Sequence, residues 1–196
     1  MQEITDFTFP DSLAGQLFAK ERKALYDSIK DRRPEMCLEC GTWSGLGSTY
    51  FLAHALKEND LGRLHTFDVK PWEKYGRTPE ENLIHFELAD RVSFHLEDFI
   101  EGVKKLDLNK VDFVFLDGPE ESDYTLNSFL FLEDLMPQGS VVFVHDWNTA
   151  SDKPQRDGET PKCEAIKKYL DDSKDKWELS VIVPDTPSGL AKITKK

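Results

Sequence analysis

The spacing of apolar residues changes several times along the chain. Over residues 12–30, Leu13, Leu17, Phe18, Leu25 and Ile29 follow a helical stripe with Asp11 or Ser12 available as a cap, which predicts a leading helix that packs on the domain or covers its site. Short continuous apolar runs then alternate with helical patterns. They predict strands over 36–39, 64–67, 91–96, 111–116 and 140–145, separated by helices over 45–57, 80–89, 99–105 and 123–135. The run Ser140 to His145 is rich in valine and phenylalanine, as expected of a strand buried on both faces. Strand and helix in alternation imply right-handed crossovers and a parallel sheet. After a polar segment, 147–161, the pattern gives a helix over 162–172 and strands over 177–183 and 190–194. Those two strands are close enough to pair as a hairpin, so the expectation is an α/β chain with a doubly wound, mostly parallel seven-stranded sheet and a C-terminal antiparallel hairpin strand.

The junction of the first strand and its helix reads Glu39-Cys40-Gly41-Thr42-Trp43-Ser44-Gly45-Leu46-Gly47-Ser48, and Asp68 closes the second strand twenty residues after Ser48. Glycines permit a tight turn and close approach to a ligand, and a carboxylate at the next strand end can accept from ribose hydroxyls, so the pair reads as an adenosine-cofactor site. Gly45 and Gly47 could instead serve only helix packing. An acid at Glu39, ahead of the first glycine, suits a positively charged cofactor without phosphate better than a pyrophosphate.

Ligands in such sheets bind beyond the carboxyl ends of the strands, and here every stop is acidic: Glu39, Asp68, Asp98, Asp117 and Asp146. Any one of these could be a helix cap or a solvated loop residue. Crowded together, carboxylates raise one another's pKa, so a cationic ligand or a metal should neutralise them.

Composition narrows the partners. Asp and Glu outnumber Lys and Arg 37 to 25, a net charge of -12 that repels phosphate backbones and anionic lipid, so nucleic acid is a poor first substrate and a small molecule a better one. No run approaches the roughly 20 apolar residues that span a bilayer, and the amino terminus lacks a secretion signal, which together lead to the expectation of a soluble, cytoplasmic protein. Cys37, Cys40 and Cys163 read as buried thiols.

These motifs resemble class I S-adenosylmethionine-dependent methyltransferases over nearly all of 36–194. Glu39-x-Gly41-x-x-x-Gly45 matches the family's first motif, Asp68 its ribose-binding acid, and Asp98 the residue that commonly contacts the adenine amine. Thr42, Trp43 and Ser48 fall within the same cofactor loop. The resemblance implies a Rossmann-like fold, with 1–34 as an N-terminal helical extension and 35–196 as the methyltransferase domain. Phe115-Leu116-Asp117-Gly118, Tyr124, Pro137-Gln138-Gly139 and Val144-His145-Asp146 are similar to the small O-methyltransferases of the catechol and caffeoyl-coenzyme A type and their sugar-modifying relatives. In those enzymes the matching acids hold a divalent cation, which implies Mg²⁺ on Asp117 and Asp146. Neighbouring strands about 4.8 Å apart make that sharing plausible. The implied reaction is O-methylation of a small hydroxylated molecule, a sugar or a phenol.

The chain also departs from that pattern. The asparagine expected directly after Asp146 stands one place later, at Asn148, which leaves the third metal ligand open. The family's lysine is replaced by Glu120, so His145 and Glu120 remain to take the hydroxyl proton, with Asp117 beside them; His145 could equally be a satisfied core histidine. Trp43, Trp72, Tyr75 and Trp147 fall in loops expected at the ligand edge, and the charged segment 147–161 reads as a lid or a solvated connector. Two other readings stay in view, a nicotinamide-type Rossmann oxidoreductase and a non-catalytic binding module. Oligomeric state is open, a homodimer being one arrangement.

Overall fold

The computed structural model describes residue 7 and residues 17–70, 72–74, 76–148 and 160–196. The leading helix, α1, runs Ala19–Arg32; the cap candidates Asp11 and Ser12 lie outside the described residues. The strands are β1 (Met36–Cys40), β2 (Arg63–Asp68), β3 (Val92–Leu96), β4 (Val111–Leu116), β5 (Val141–His145), β6 (Trp177–Val183) and β7 (Leu190–Lys195). Between them lie α2 (Ser48–Asn59), α3 (Pro79–His85), α4 (Phe99–Val103), α5 (Ser122–Glu133) and α6 (Glu164–Asp172).

The sheet order is β3-β2-β1-β4-β5-β7-β6. Neighbours are parallel from β3 to β5, while β7 is antiparallel to both β5 and β6. The terminal hairpin therefore enters the sheet with its second strand innermost. Continuous apolar runs in β4 and β5 are buried on both faces, as their composition requires. One core cluster, with Phe51, Phe113 and Phe143, lies under α1 and α2; the other, with Phe67, Phe129 and Val142, lies under α4, α5 and α6.

Two helix boundaries differ from the sequence pattern for backbone reasons. The helix expected from residue 45 starts at Ser48, because Gly45 sits at φ +72° and Gly47 precedes the first turn. The one expected over 80–89 ends at His85, because Glu87 adopts a left-handed conformation, φ +59°, that breaks the helical ladder. Among the described residues no helix is long and apolar enough to cross a membrane.

Candidate active site

β1 and β4 lie side by side at the middle of the sheet, and the chain leaves them toward opposite edges, so their carboxyl ends open a crevice. Gly41 makes the crossing there. Its N–H donates to the Phe67 carbonyl at 2.9 Å, its φ is +100°, and a Cβ at this position would stand 2.2 Å from the Asp117 carbonyl oxygen. Any larger residue would push the strand ends apart. Trp43 follows at φ +47°, and its N–H donates to Asp68 Oδ2 at 2.8 Å, tying the glycine loop to the end of β2. Gly45 has another duty: its Cα faces Pro79 at the start of α3, where a Cβ would lie 3.1 Å from backbone.

Over these strand ends lies a cavity of about 360 Å³, within the range of small-molecule sites. Gly41, Thr42, Trp43, Ser48, Asp68, Asp117 and Asp146 line it. Phe67, Val69, Trp72, Phe99 and Tyr124 supply aromatic and apolar walls, and Glu97 and Glu120 stand among them. Glu39, Gly45, Asp98, His145 and Asn148 are not on its surface. Of the four aromatic loop residues, Trp43 and Trp72 line the cavity, Tyr75 lies outside the described residues, and Trp147 is buried in the core with the Lys167 ammonium over its ring. Most of the charged segment after Trp147 also lies outside the described residues.

Glu39 sits beneath the cavity floor, fully buried. Burial pushes its carboxyl up to about 7, against the pull of the Ser48, Thr49 and Thr66 hydroxyls. The Thr49 hydroxyl donates to Oε2 at 2.7 Å, and Oε1 is buried with no hydrogen-bond partner among the described residues. Asp98 is the N-cap of α4, accepting from the Glu101 N–H at 3.1 Å, and it receives the Tyr124 hydroxyl at 2.8 Å. It therefore fixes Tyr124 and the neighbouring Glu97 and Phe99, which do reach the cavity.

The other wall is an ionic cluster. Leu116 pairs with Val144, which sets Asp117 next to His145. His145 Nδ1 lies 3.0 Å from Asp117 Oδ1 and 3.5 Å from Asp146 Oδ2, while Nε2 lies 3.2 Å from Glu21 Oε2 of α1. Asp146 adopts φ +59°, which breaks the alternation of the strand and lets consecutive residues 145 and 146 face one cluster. Into this cluster comes Lys162, which the sequence pattern assigned only to a helix start. Its ammonium donates to Asp117 Oδ1 at 2.9 Å and to Asp146 Oδ2 at 3.1 Å, with the side chain 2 % exposed.

Burial is the largest single influence on Lys162 and His145 and opposes their charge, but Asp117 and Asp146 acting together, joined by Glu21 at His145, outweigh it and hold both groups above their ordinary values. Asp117, conversely, is disfavoured as an anion by burial yet held below its ordinary value by Lys162 and then His145. Both ring nitrogens of His145 face carboxylate oxygens, an arrangement that favours a doubly protonated ring donating to each.

Asp117, His145 and Asp146 carry ligand atoms within 4.8 Å of one another, the spacing of a metal site. The donor set does not fit a divalent cation. Lys162 already bridges the two carboxylates, His145 faces them with its ring nitrogens, and Asn148 is tied through its amide nitrogen to the Pro184 and Thr186 carbonyls at 2.8 and 3.0 Å, off the cavity surface. No sequence pattern marks Lys162 or Glu21 as part of this cluster. The one available signal was the surplus of converging acids, which demanded a cation without saying that the chain supplies it.

Comparison with known proteins agrees with this architecture. A methyltransferase-domain family model matches residues 38–147, more than half of the chain. No curated protein matches the sequence. The fold is shared with the O-methyltransferase TomG of Streptomyces achromogenes, involved in tomaymycin synthesis and solved with SAM: TM-score 0.69, 22% identity, 92% of this chain and 81% of that one. An O-methyltransferase from Bacillus cereus in complex with SAH gives a TM-score of 0.69 at 18% identity, over 96% and 85%. An rRNA methylase from Streptococcus thermophilus gives 0.60 at 14% identity, over 89% and 93%, so the fold by itself does not choose the acceptor. On the family match, spanning the glycine loop, Asp117 and Asp146, the chain belongs to the methyltransferase-domain family.

Proposed function

We propose that this chain is an S-adenosylmethionine-dependent O-methyltransferase acting on a small hydroxylated molecule. The observation that carries the reading is the charge of the cavity: Asp68, Glu97 and Glu120 line it, with Asp117 and Asp146 balanced from behind by Lys162 and His145, against Lys70 as its one cationic lining side chain among the described residues. That lining favours a sulfonium and opposes the pyrophosphate of a dinucleotide. When bound, the cofactor supplies an electrophilic methyl group.

The chain's own residues then divide the work. Asp68 suits hydrogen bonds from ribose hydroxyls, while the more exposed Val69 and Trp72 supply apolar surface for a flat ring over the buried Phe67 and Phe99. The amino end of α2, at Gly47 and Ser48, lines the cavity, and the first turn of a helix suits a carboxylate. Glu39 Oε1 beneath it, without a partner among the described residues, suits a water that bridges to an ammonium above. Asp117 Oδ1 is occupied by Lys162 and His145, and Oδ2 takes no hydrogen bond among the described residues, so it is the oxygen placed to accept from the acceptor's hydroxyl. As the oxygen–methyl bond forms and the sulfonium bond breaks, Asp117 Oδ2 holds the acceptor's hydroxyl by a hydrogen bond and aims its oxygen, while the proton leaves toward water. Charge is neutralised in the step, which apolar walls favour, and the remaining contribution is in-line positioning.

The acidic surface argues for a small acceptor over a nucleic acid. The test is mass spectrometry of reactions with S-adenosylmethionine and a panel of phenols, catechols and sugars. A singly methylated hydroxyl product formed together with S-adenosylhomocysteine is expected; methylation confined to amines or to RNA would overturn the acceptor class.

A further inference from the structure

The ionic cluster contains its own cation, in the position where a metal would be bound. Lys162 Nζ stands between Asp117 Oδ1 and Asp146 Oδ2, nearly equidistant from the two, and the side chain is almost wholly buried. It is held there by local structure: the next residue, Cys163, donates its thiol to the His145 carbonyl at 3.3 Å, and the Ala165 N–H donates to Ser122 Oγ at 2.9 Å at the start of α6. A divalent ion bridging the same oxygens needs metal–oxygen distances of about 2.0–2.6 Å and further oxygen ligands. An ammonium within hydrogen-bond reach of both oxygens excludes it by volume and by like-charge repulsion in a poorly screened interior. His145 is committed as well, to Asp117 and Glu21, and the amide nitrogen of Asn148 ties that side chain to the 184–186 turn.

We propose that Lys162 is the resident cation of this site, neutralising and aiming Asp117 and Asp146 so that the chain works without a divalent metal. The part that concerns orientation of the acceptor rests on the methyl-transfer reading; the metal-exclusion part does not. Lys162 is thus a positioning residue, acting through Asp117. It reaches the site from the segment before α6, whereas the place three residues after Asp117 carries Glu120.

The test is direct metal binding, read without any acceptor. Calorimetric titration of the wild-type chain with Mn²⁺ should give no saturable heat, and its melting temperature should not move across the same Mn²⁺ range. Lys162→Ala, which vacates the position and leaves both carboxylates, should gain one Mn²⁺ site at least about tenfold tighter than any in the wild type. That gain should disappear in Lys162→Ala/Asp146→Asn. A purely structural lysine would not produce it. Titration with S-adenosylhomocysteine reports on each variant's fold and tests the cofactor reading separately. Stoichiometric Mn²⁺ binding by the wild type, lost in Asp146→Asn, would overturn the proposal, as would a folded Lys162→Ala that takes up no Mn²⁺. If Lys162→Ala does not fold, the wild-type calorimetry and melting series decide alone.

Discussion

Replacing Lys162 with methionine keeps most of the apolar stem and removes the charge that Asp117 and Asp146 share. Breaking a buried ion pair from one side costs about 3–5 kcal/mol, since the remaining charge loses its partner without regaining water. Here His145 still faces Asp117 and Asp146, which places the expected loss near the lower end, about 3 kcal/mol at pH 7. For a domain of this size that corresponds to a fall in melting temperature of about 10 °C. The pH dependence carries the sign. In the wild type, Lys162 and His145 hold Asp117 below its ordinary value, so its contribution is present above the usual carboxylate range and is lost as pH falls through the folded-state pKa. In Lys162→Met the two carboxylates repel, so protonation relieves them instead. The gap between the two proteins should be widest at pH 7 and above and should narrow below about pH 5. Calorimetric melts from pH 8 to pH 4.5 measure it. A loss under about 1 kcal/mol at pH 7, or a gap that widens as pH falls, would refute the assignment of Lys162 as a partner of both acids.

Three further outcomes follow from single residues. Glu39, whose carboxyl burial pushes from 4.5 to about 7, favours the neutral form when folded, so it lowers stability as pH rises from about 4.5 to 7, by about 3 kcal/mol in all. Glu39→Gln should abolish that slope, seen as a wild-type-minus-variant difference in chemical denaturation that changes between pH 5 and pH 8; a constant difference would mean that Glu39 is charged throughout. Gly41→Ala should cost about 3 kcal/mol or more in urea unfolding, from the left-handed backbone and the 2.2 Å approach to the Asp117 carbonyl, and unchanged stability would show that the strand ends part freely. Asp68→Ala should weaken S-adenosylhomocysteine binding about tenfold or more while leaving the fold intact; unchanged affinity would remove Asp68 from the cofactor site.

The fold was readable because the signals are local. Valine and phenylalanine runs such as 111–116 and 140–145 have no stable place except a doubly covered strand, and the order of strands and helices leaves few topologies. The glycine loop was readable for the same reason: Gly41 is the residue that lets β1 and β4 close over Asp117. What escaped is the set of contacts between distant segments. Glu21 meets His145 across 124 positions, and Lys162 meets Asp117 across 45, neither with a periodicity to announce it. Acids at strand ends looked alike in the sequence, yet their surroundings separate them: Asp98 caps α4, Glu39 lies under the floor, and Asp68, Asp117 and Asp146 face the cavity. Trp147 went into the core because it follows β5 directly, at a point where the β7 edge still pairs with the chain through the Gly189 carbonyl.

The most direct measurement is calorimetric titration of the full chain with S-adenosylhomocysteine in the presence of a chelator, with NAD in a parallel experiment. Saturable one-to-one binding of the homocysteine compound, unchanged by the chelator, and no binding of NAD is the expected result. Binding of NAD, or failure of S-adenosylhomocysteine to bind a folded chain, would contradict the assignment of the crevice between β1 and β4 as a methyl-donor site.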